Sequence, residues 1–213
     1  MGKKFRKITA IVLTVAMAFS VALPVFAENI TDGEIPKVKT NLLITNPETG
    51  EYWEFDISNE VNVQQAKAIP FMVNDNIATM EIDVALGDYL AETYVITDEE
   101  KKTKTSDIIL TTGLTYNRDV VSTGEVSIYT VFGSTTNVGS YYAENRKVSW
   151  RNPGPDVGGA FTPTTSSWSY SVDSTSGAYN SNRPPFSLLE CDVRISGMTS
   201  YRTVEVLCEL EIT

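Results

Sequence analysis

Apolar and polar side chains alternate with a period of two along much of this chain, and this alternation most constrains its fold. At residues 78–86, for example, Met80, Ile82, Val84 and Leu86 alternate with polar residues or alanine. Successive side chains of a strand point to opposite faces, so such a segment buries one face and exposes the other. Similar segments recur between turn sequences. We therefore predict an all-β chain, folded as an antiparallel β-sandwich or a partly open barrel.

Turn sequences delimit the individual strands of this prediction. Residues 46–50, Asn-Pro-Glu-Thr-Gly, form a turn between two strands and make the first pair a hairpin. Residues 89–96 fit either a strand or a short helix, and residues 60–73 are left unassigned. The predicted strands cover residues 43–45, 51–57, 78–86, 107–116, 125–132, 148–150 and 168–172.

The last two predicted strands carry the two cysteines of the chain. If the turn between them is centred in residues 197–202, Cys191 lies opposite Cys208. Directly opposed Cα atoms are about 4.5–5.5 Å apart, which a disulfide tolerates. We therefore predict a disulfide between these residues; the alternative is two reduced cysteines that act as small apolar side chains. The predicted inward faces are Leu189, Cys191, Val193 and Ile195 on one strand, and Val204, Val206, Cys208, Leu210 and Ile212 on the other.

The first 27 residues have the three parts of a secretory signal. Basic residues at positions 3–7 precede an apolar stretch at 8–23, and Pro24 then interrupts it. We predict a signal peptide helix cleaved between Ala27 and Glu28, with an uncleaved anchor helix as the alternative. The segment resembles signal peptides of Gram-positive bacteria. We therefore expect a secreted, extracellular or cell-surface-associated protein with no stable membrane span after cleavage.

Cleavage would leave a flexible lead-in at residues 28–37 and a single β-sandwich domain at 38–213. The signal contains 4 of the 17 basic residues and none of the 27 acidic ones, so the mature part has 13 minus 27, a net charge of −14. Such a surface repels phosphate backbones, and no nucleic acid partner is predicted. We interpret the acidity as a solubility feature rather than as a cation site.

The residue inventory restricts the chemistry. The chain contains no histidine, which excludes Ser-His-Asp and Cys-His relays and the His-rich zinc sites. No nucleotide-binding or EF-hand motif is present, so we predict no catalytic residue, no metal site and no cofactor. A carboxylate-based glycoside hydrolase needs only two acids and stays as an alternative. However, acids such as Glu205 and Glu209 alternate with core residues, which is typical of the solvent-facing side of a strand. No pair of acids stands out as catalytic.

Binding is the function that the remaining features favour. Two irregular segments, residues 151–165 and 174–185, are long enough to be functional, although a simple meander would place them at opposite ends of a sheet. We predict an interaction protein whose ligand is a glycan, a peptide or another surface protein. The alternative is a membrane-active or pore-forming β protein built from the Thr- and Ser-rich strands. Trp150 and Trp168 are assigned to the core, and the candidate binding-loop aromatics are Tyr141, Tyr142, Phe161, Tyr179 and Phe186.

Overall fold

In the computed structural model, the described residues form β-strands with antiparallel pairing throughout, together with one short helix. The described residues are 37–58, 61–62, 77–94, 108–117, 124–136, 141–153, 158–172 and 177–211. The prediction of an all-β, antiparallel chain is therefore confirmed. The elements are β1 (Lys37–Thr45), β2 (Tyr52–Asp56), β3 (Val61–Asn62), β4 (Ile77–Ala85), α1 (Gly87–Thr93), β5 (Ile109–Asn117), β6 (Glu125–Val126), β7 (Ile128–Thr136), β8 (Tyr141–Arg151), β9 (Gly158–Phe161), β10 (Ser167–Ser171), β11 (Gly177–Ala178), β12 (Phe186–Ile195) and β13 (Tyr201–Glu211).

The strands form two large sheets and one small one. The six-stranded sheet has the order β2-β1-β13-β12-β8-β9, and the five-stranded sheet has the order β10-β7-β5-β4-β3. Strands β11 and β6 form a separate pair. Neither large sheet closes on itself among the described strands, so each ends in two edges.

The predicted first hairpin is present as β1 and β2. Thr45 pairs with Tyr52 across the turn, and the Gly50 amide donates to the Asn46 carbonyl at 2.8 Å. Gly50 has a φ of +74°, a conformation that costs glycine little and other residues more. Trp53 and Phe55 pack against the core, and Ile57 is buried.

The inner faces of both large sheets contribute to one apolar cluster. The alternation at residues 78–86 is confirmed, because its four apolar side chains have no exposed surface. Each such buried side chain stabilises the fold by about 1.5–3 kcal/mol. Thr112 of β5 and Ser187 of β12 add a buried hydroxyl–hydroxyl hydrogen bond of 2.8 Å between the sheets.

The predicted disulfide is wrong, although the predicted faces of its two strands are right. Cys191 pairs with Val204, whereas Cys208 pairs with Ser187, which precedes Cys191 by four residues on β12. At a rise of about 3.4 Å per residue the two cysteines are roughly 14 Å apart along the strands, too far for a disulfide. Both cysteines are free and buried on the inner face. Burial raises the pKa of the Cys191 thiol to about 12 and also raises the pKa of Cys208, so both stay protonated.

The register differs because the turn is closer to the start of the predicted loop. The Met198 amide donates to the Ile195 carbonyl at 3.0 Å, and Gly197 between them has a φ of +86°. Strand β13 therefore begins at Tyr201, inside the predicted loop. A register shift by an even number of residues leaves every side chain on the same face, so alternation alone does not distinguish the two registers.

Helix α1 shows that residues 89–93 of the ambiguous segment 89–96 are helical, while residues 95–96 lie outside the described residues. Its carboxyl end contacts Arg202, which is only 7% exposed. The Arg202 Nη2 donates to the Thr93 carbonyl at 2.8 Å, and its guanidinium lies 4.1 Å from the centroid of the Tyr94 ring. A cation is favourable at the carboxyl end of a helix and over an aromatic face. Burial raises the pKa of Tyr94 to about 12.

The start of the first irregular segment meets the end of the second, so these parts do not lie at opposite ends of a sheet, as a simple meander would require; residues 154–157 and 174–176 lie outside the described residues. The guanidinium of Arg151 donates to the Pro184 carbonyl, with Nη2 at 2.7 Å and Nε at 3.0 Å. The reason is that the chain changes sheets between them. Strand β9 belongs to the six-stranded sheet and β10 to the five-stranded sheet, while β11 pairs with β6.

The predicted N-terminal features lie outside the described residues, apart from Lys37, which begins β1. These are the signal helix, its cleavage site at Ala27 and Glu28, and the lead-in. Of the unassigned segment 60–73 only residues 61–62 are described, and Asp107 and Ile212 also lie outside. The described residues all belong to one compact unit, Glu34–Thr213, and the predicted domain boundary stays a prediction. No helix in the described part of the chain is long and apolar enough to span a membrane.

Candidate functional site

The structure separates the five candidate aromatics. Tyr141 is 4% exposed and belongs to the core, and Tyr179 is half-buried against the core. Phe161 lies at the β9 edge, where its ring stacks on another aromatic ring. Tyr142 of β8 and Phe186 of β12 point outward from the six-stranded sheet. The five side chains therefore do not form one cluster, and two of them belong to a single outer surface.

This outer surface is the solvent-facing side of the six-stranded sheet, called the open face below. It comprises the odd-numbered residues 39–45 of β1 and 201–211 of β13, and the even-numbered residues 52–56 of β2 and 186–194 of β12. Strand β8 adds Tyr142, Glu144, Lys147, Ser149 and Arg151. All these side chains are half-buried or exposed. The strand registers align them in rows, for example Lys147, Glu190, Glu205, Leu43 and Glu54.

Acidic side chains outnumber basic ones on the open face by eight to four, counting the residues whose side chains are described. Most of the acids have partners. Arg194 pairs with Glu144 at 2.6 Å, and Lys147 lies 3.8 Å from Glu190. The acids are Glu54, Asp56, Glu144, Glu190, Asp192, Glu205, Glu209 and Glu211, and the bases are Lys39, Lys147, Arg151 and Arg194.

The other partnered acids accept hydrogen bonds. Asp192 accepts from Asn145 Nδ2 at 2.8 Å and from Thr203 Oγ1 at 3.0 Å. Glu54 accepts from the side-chain amide of Asn41. Asp56 accepts from the Ser58 hydroxyl, which lowers the pKa of its carboxyl.

Glu205 and Glu209 are different, because within the described residues neither carboxylate has a hydrogen bond or an ion pair. Both are half-buried on β13. Burial raises the pKa of Glu205, and Glu190, directly opposite on β12, raises it further against the effect of Lys147. Burial also raises the pKa of Glu209, with Lys39 and Arg151 acting in the opposite direction. Like charges directly opposed across strands are destabilising, so Glu205 and Glu190 repel each other on the open face.

Aromatic rings border the acidic rows of the open face. Tyr52 is 68% exposed, and Tyr201 and Tyr142 lie at the same end of the sheet, one on each side of Arg194. The Arg194 guanidinium is 5.5 Å from the Tyr201 ring centroid. At the other end the Arg151 guanidinium is 4.8 Å from the Phe186 ring. Sequence reasoning missed Tyr52 and Tyr201, because only the strand registers show that they share this surface.

A second group of aromatic rings lies between the edges of the two large sheets. Phe161 of β9 and Tyr170 of β10 stack with their ring centroids 4.8 Å apart. Trp150 and Trp168, assigned to the core from the sequence, are half-buried and pack against it. Each indole lies over a glycine of the neighbouring strand. A Cβ added to Gly133 would lie 2.7 Å from the Trp168 ring.

No protein-family model matches the chain, and no curated protein or solved structure matches it either. Within the described ranges, no group of three or more acidic or cysteine side chains could hold a metal ion. Among the described surfaces, the open face combines rows of charged side chains with bordering aromatic rings.

Proposed function

We propose that this protein is a secreted or surface-associated β-sandwich that binds a basic partner, a lysine- or arginine-rich surface of another protein, through the open face. The sandwich arrangement is supported by the single apolar cluster that both large sheets share and by the hydrogen bond between Thr112 and Ser187. Export is supported by the signal-like first 27 residues.

The observation that carries the proposal is the pair of half-buried carboxylates, Glu205 and Glu209, which have no hydrogen-bond or ion-pair partner among the described residues. A carboxylate that has lost water without gaining a donor is destabilised. A lysine or arginine of a partner would supply that donor in a charge-assisted hydrogen bond. It would also relieve the repulsion between Glu205 and Glu190.

The surroundings of these carboxylates suit a protein partner. Leu43, Leu188 and Leu207 are half-buried on the open face and offer apolar area between the acids. Tyrosine and phenylalanine border the same surface, and aromatic residues are enriched where proteins bind one another. The excess of acids over bases would attract a basic surface and repel an acidic one.

The test uses the immobilised full chain and three probes: a lysine-rich peptide, a glutamate-rich peptide of equal length and a panel of neutral glycans. We expect binding of the lysine-rich peptide alone, weakening as salt is added, because exposed charges are screened. The double variant Glu205→Gln/Glu209→Gln should lose this binding. The control Glu48→Gln/Glu51→Gln removes the same charge from the exposed β1–β2 turn and should keep it. Binding of glycans without the lysine-rich peptide would refute the proposal.

Glycoside hydrolysis is a second candidate, favoured by the opposition of Glu190 and Glu205. Directly opposed side chains are about 5 Å apart at Cβ, near the carboxylate separation of retaining glycosidases. The raised pKa of Glu205 would suit a general acid, with Glu190, which lies 3.8 Å from Lys147, as the second carboxylate. Hydrolysis of aryl glycosides by the wild type, lost in both Glu190→Gln and Glu205→Gln, would support this candidate. No hydrolysis by the wild type would remove it.

A further inference from the structure

We propose that strand β10 joins two copies of this chain, which pair antiparallel along its free edge about a two-fold axis through Ser169. The inference is independent of the open face, which belongs to the other large sheet. It rests on the sequence of β10, on the direction of its backbone groups and on the charge of its surroundings.

Strand β10 has a symmetrical sequence, Ser-Trp-Ser-Tyr-Ser, centred on Ser169. Its serines point to the outer side of the five-stranded sheet, and Trp168 and Tyr170 point to the inner side, with the latter 46% exposed. A two-fold axis through Ser169 places Ser167 opposite Ser171 of the second copy and Trp168 opposite Tyr170 of the second copy. Aromatic pairs and hydroxyl pairs across strands are both stabilising, so this strand is complementary to itself.

The backbone of β10 presents its unused hydrogen-bonding groups on the side away from β7. The Thr135 amide donates to the Ser166 carbonyl at 2.7 Å, and the Val172 amide donates to the Tyr129 carbonyl at 3.0 Å. Because backbone groups alternate in direction along a strand, even-numbered residues here face β7 and odd-numbered ones face outward. In the described part of the chain no strand occupies that outward side.

The outward groups belong to Ser167, Ser169 and Ser171. The two-fold arrangement makes Ser169 a hydrogen-bonded pair with its own copy, and makes Ser167 a hydrogen-bonded pair with Ser171 of the second copy. The Ser167 carbonyl already accepts from the Thr165 hydroxyl at 2.5 Å, and its second lone pair can accept from the copy. Trp168 and Tyr170 then fall at non-hydrogen-bonded positions, where opposed side chains lie closest.

Charge favours a second copy at this edge. Residues 157–172 contain no charged side chain, in a chain with a net charge of −10. The outward acids Glu81 and Asp83 are on β4, three strands from β10 and thus roughly 14 Å away, beyond the screening length of physiological salt. The β2 edge carries Glu54 and Asp56 instead, which is how proteins discourage edge pairing. Two acidic molecules can therefore approach along β10 without strong repulsion.

The test is sedimentation equilibrium of the full chain, with the fold of each variant checked by near-ultraviolet circular dichroism. We expect the wild type to sediment at twice its mass of 23.5 kDa. Ser169→Lys places two like charges opposite each other and should raise the dissociation constant at least about tenfold. The control Ser134→Lys adds the same charge to the same face of β7, away from the edge, and should leave the dimer intact.

Mixing variants of opposite charge tests whether Ser169 lies on the two-fold axis. A mixture of the Ser169→Lys and Ser169→Glu chains should restore the dimer, because opposite charges then meet on the two-fold axis. Hydrogen exchange of the wild type provides a measurement that needs no variant: the amides of Ser167 and Ser169 should become protected as concentration rises. A wild type that is monomeric at roughly 100 µM, a Ser169→Lys chain that still dimerises, or exchange that is independent of concentration would each overturn the proposal.

Discussion

Replacing Arg202 should destabilise the fold far more than replacing a neighbouring arginine on the other side of the same sheet. Arg202 is buried, donates to the Thr93 carbonyl at 2.8 Å and lies 4.1 Å from the Tyr94 ring. A hydrogen bond from a charged group contributes about 1.5–3 kcal/mol, and a desolvated cation–π contact about 2 kcal/mol. Arg202→Ala loses both and leaves a cavity, so we expect the free energy of unfolding to fall by about 3 kcal/mol, after allowing for the recovered desolvation of the guanidinium.

The assay is urea unfolding followed by tryptophan fluorescence, since Trp53 lies 6.0 Å from the Arg202 guanidinium. Arg202→Lys should lose about half as much stability, because an ammonium keeps the charge but lacks the planar stacking surface. The control is Arg194→Ala on the open face, where a partly exposed ion pair with Glu144 contributes at most about 1 kcal/mol. An Arg202→Ala variant as stable as Arg194→Ala would refute the reasoning.

Three further predictions concern other parts of the fold. Reductant should leave the urea midpoint unchanged, whereas a Cys191–Cys208 disulfide would raise the free energy of unfolding by about 3 kcal/mol. Both thiols should react with Ellman's reagent only after unfolding. Because the pKa values of Glu205 and Glu209 are raised, their contribution to stability is present at low pH and is lost as pH rises through the folded-state pKa values. Glu205→Gln/Glu209→Gln should therefore flatten the dependence of the free energy of unfolding on pH. At pH 7 it should stabilise the fold by less than about 1 kcal/mol, as measured by unfolding across pH. Gly133→Ala should lower the thermal midpoint, because its Cβ would lie 2.3 Å from a backbone oxygen, and overpacking costs about 1–3 kcal/mol.

Alternation predicted which side of β4, β12 and β13 is buried, and the structure agrees for these strands. It did not predict how strands align, because pairings that differ by an even number of residues bury the same side chains. The error at Cys191 and Cys208 has this cause. Arg202 was missed for a related reason, since an arginine after a glycine-containing turn is typical of a loop, while its partners in α1 are distant in sequence.

The candidate site depended on information that no local pattern contains. Tyr142 and Phe186 were singled out from the sequence, but Tyr52 and Tyr201 join them only through the pairing of β1, β2, β12 and β13. The opposition of Glu190 and Glu205 likewise exists only in the observed register. Alternation within β9 and β10 also does not show that these two strands belong to different sheets.

The pKa of the Glu205 carboxyl, followed by carbon-detected NMR in the free protein and with the lysine-rich peptide, tests the central claim most directly. We predict a pKa above the ordinary value of 4.5 in the free protein, because of burial and of Glu190, and a fall when the peptide supplies a cation. A Glu205 that titrates at its ordinary value, or whose raised pKa does not change when the peptide is added in excess, would contradict the account.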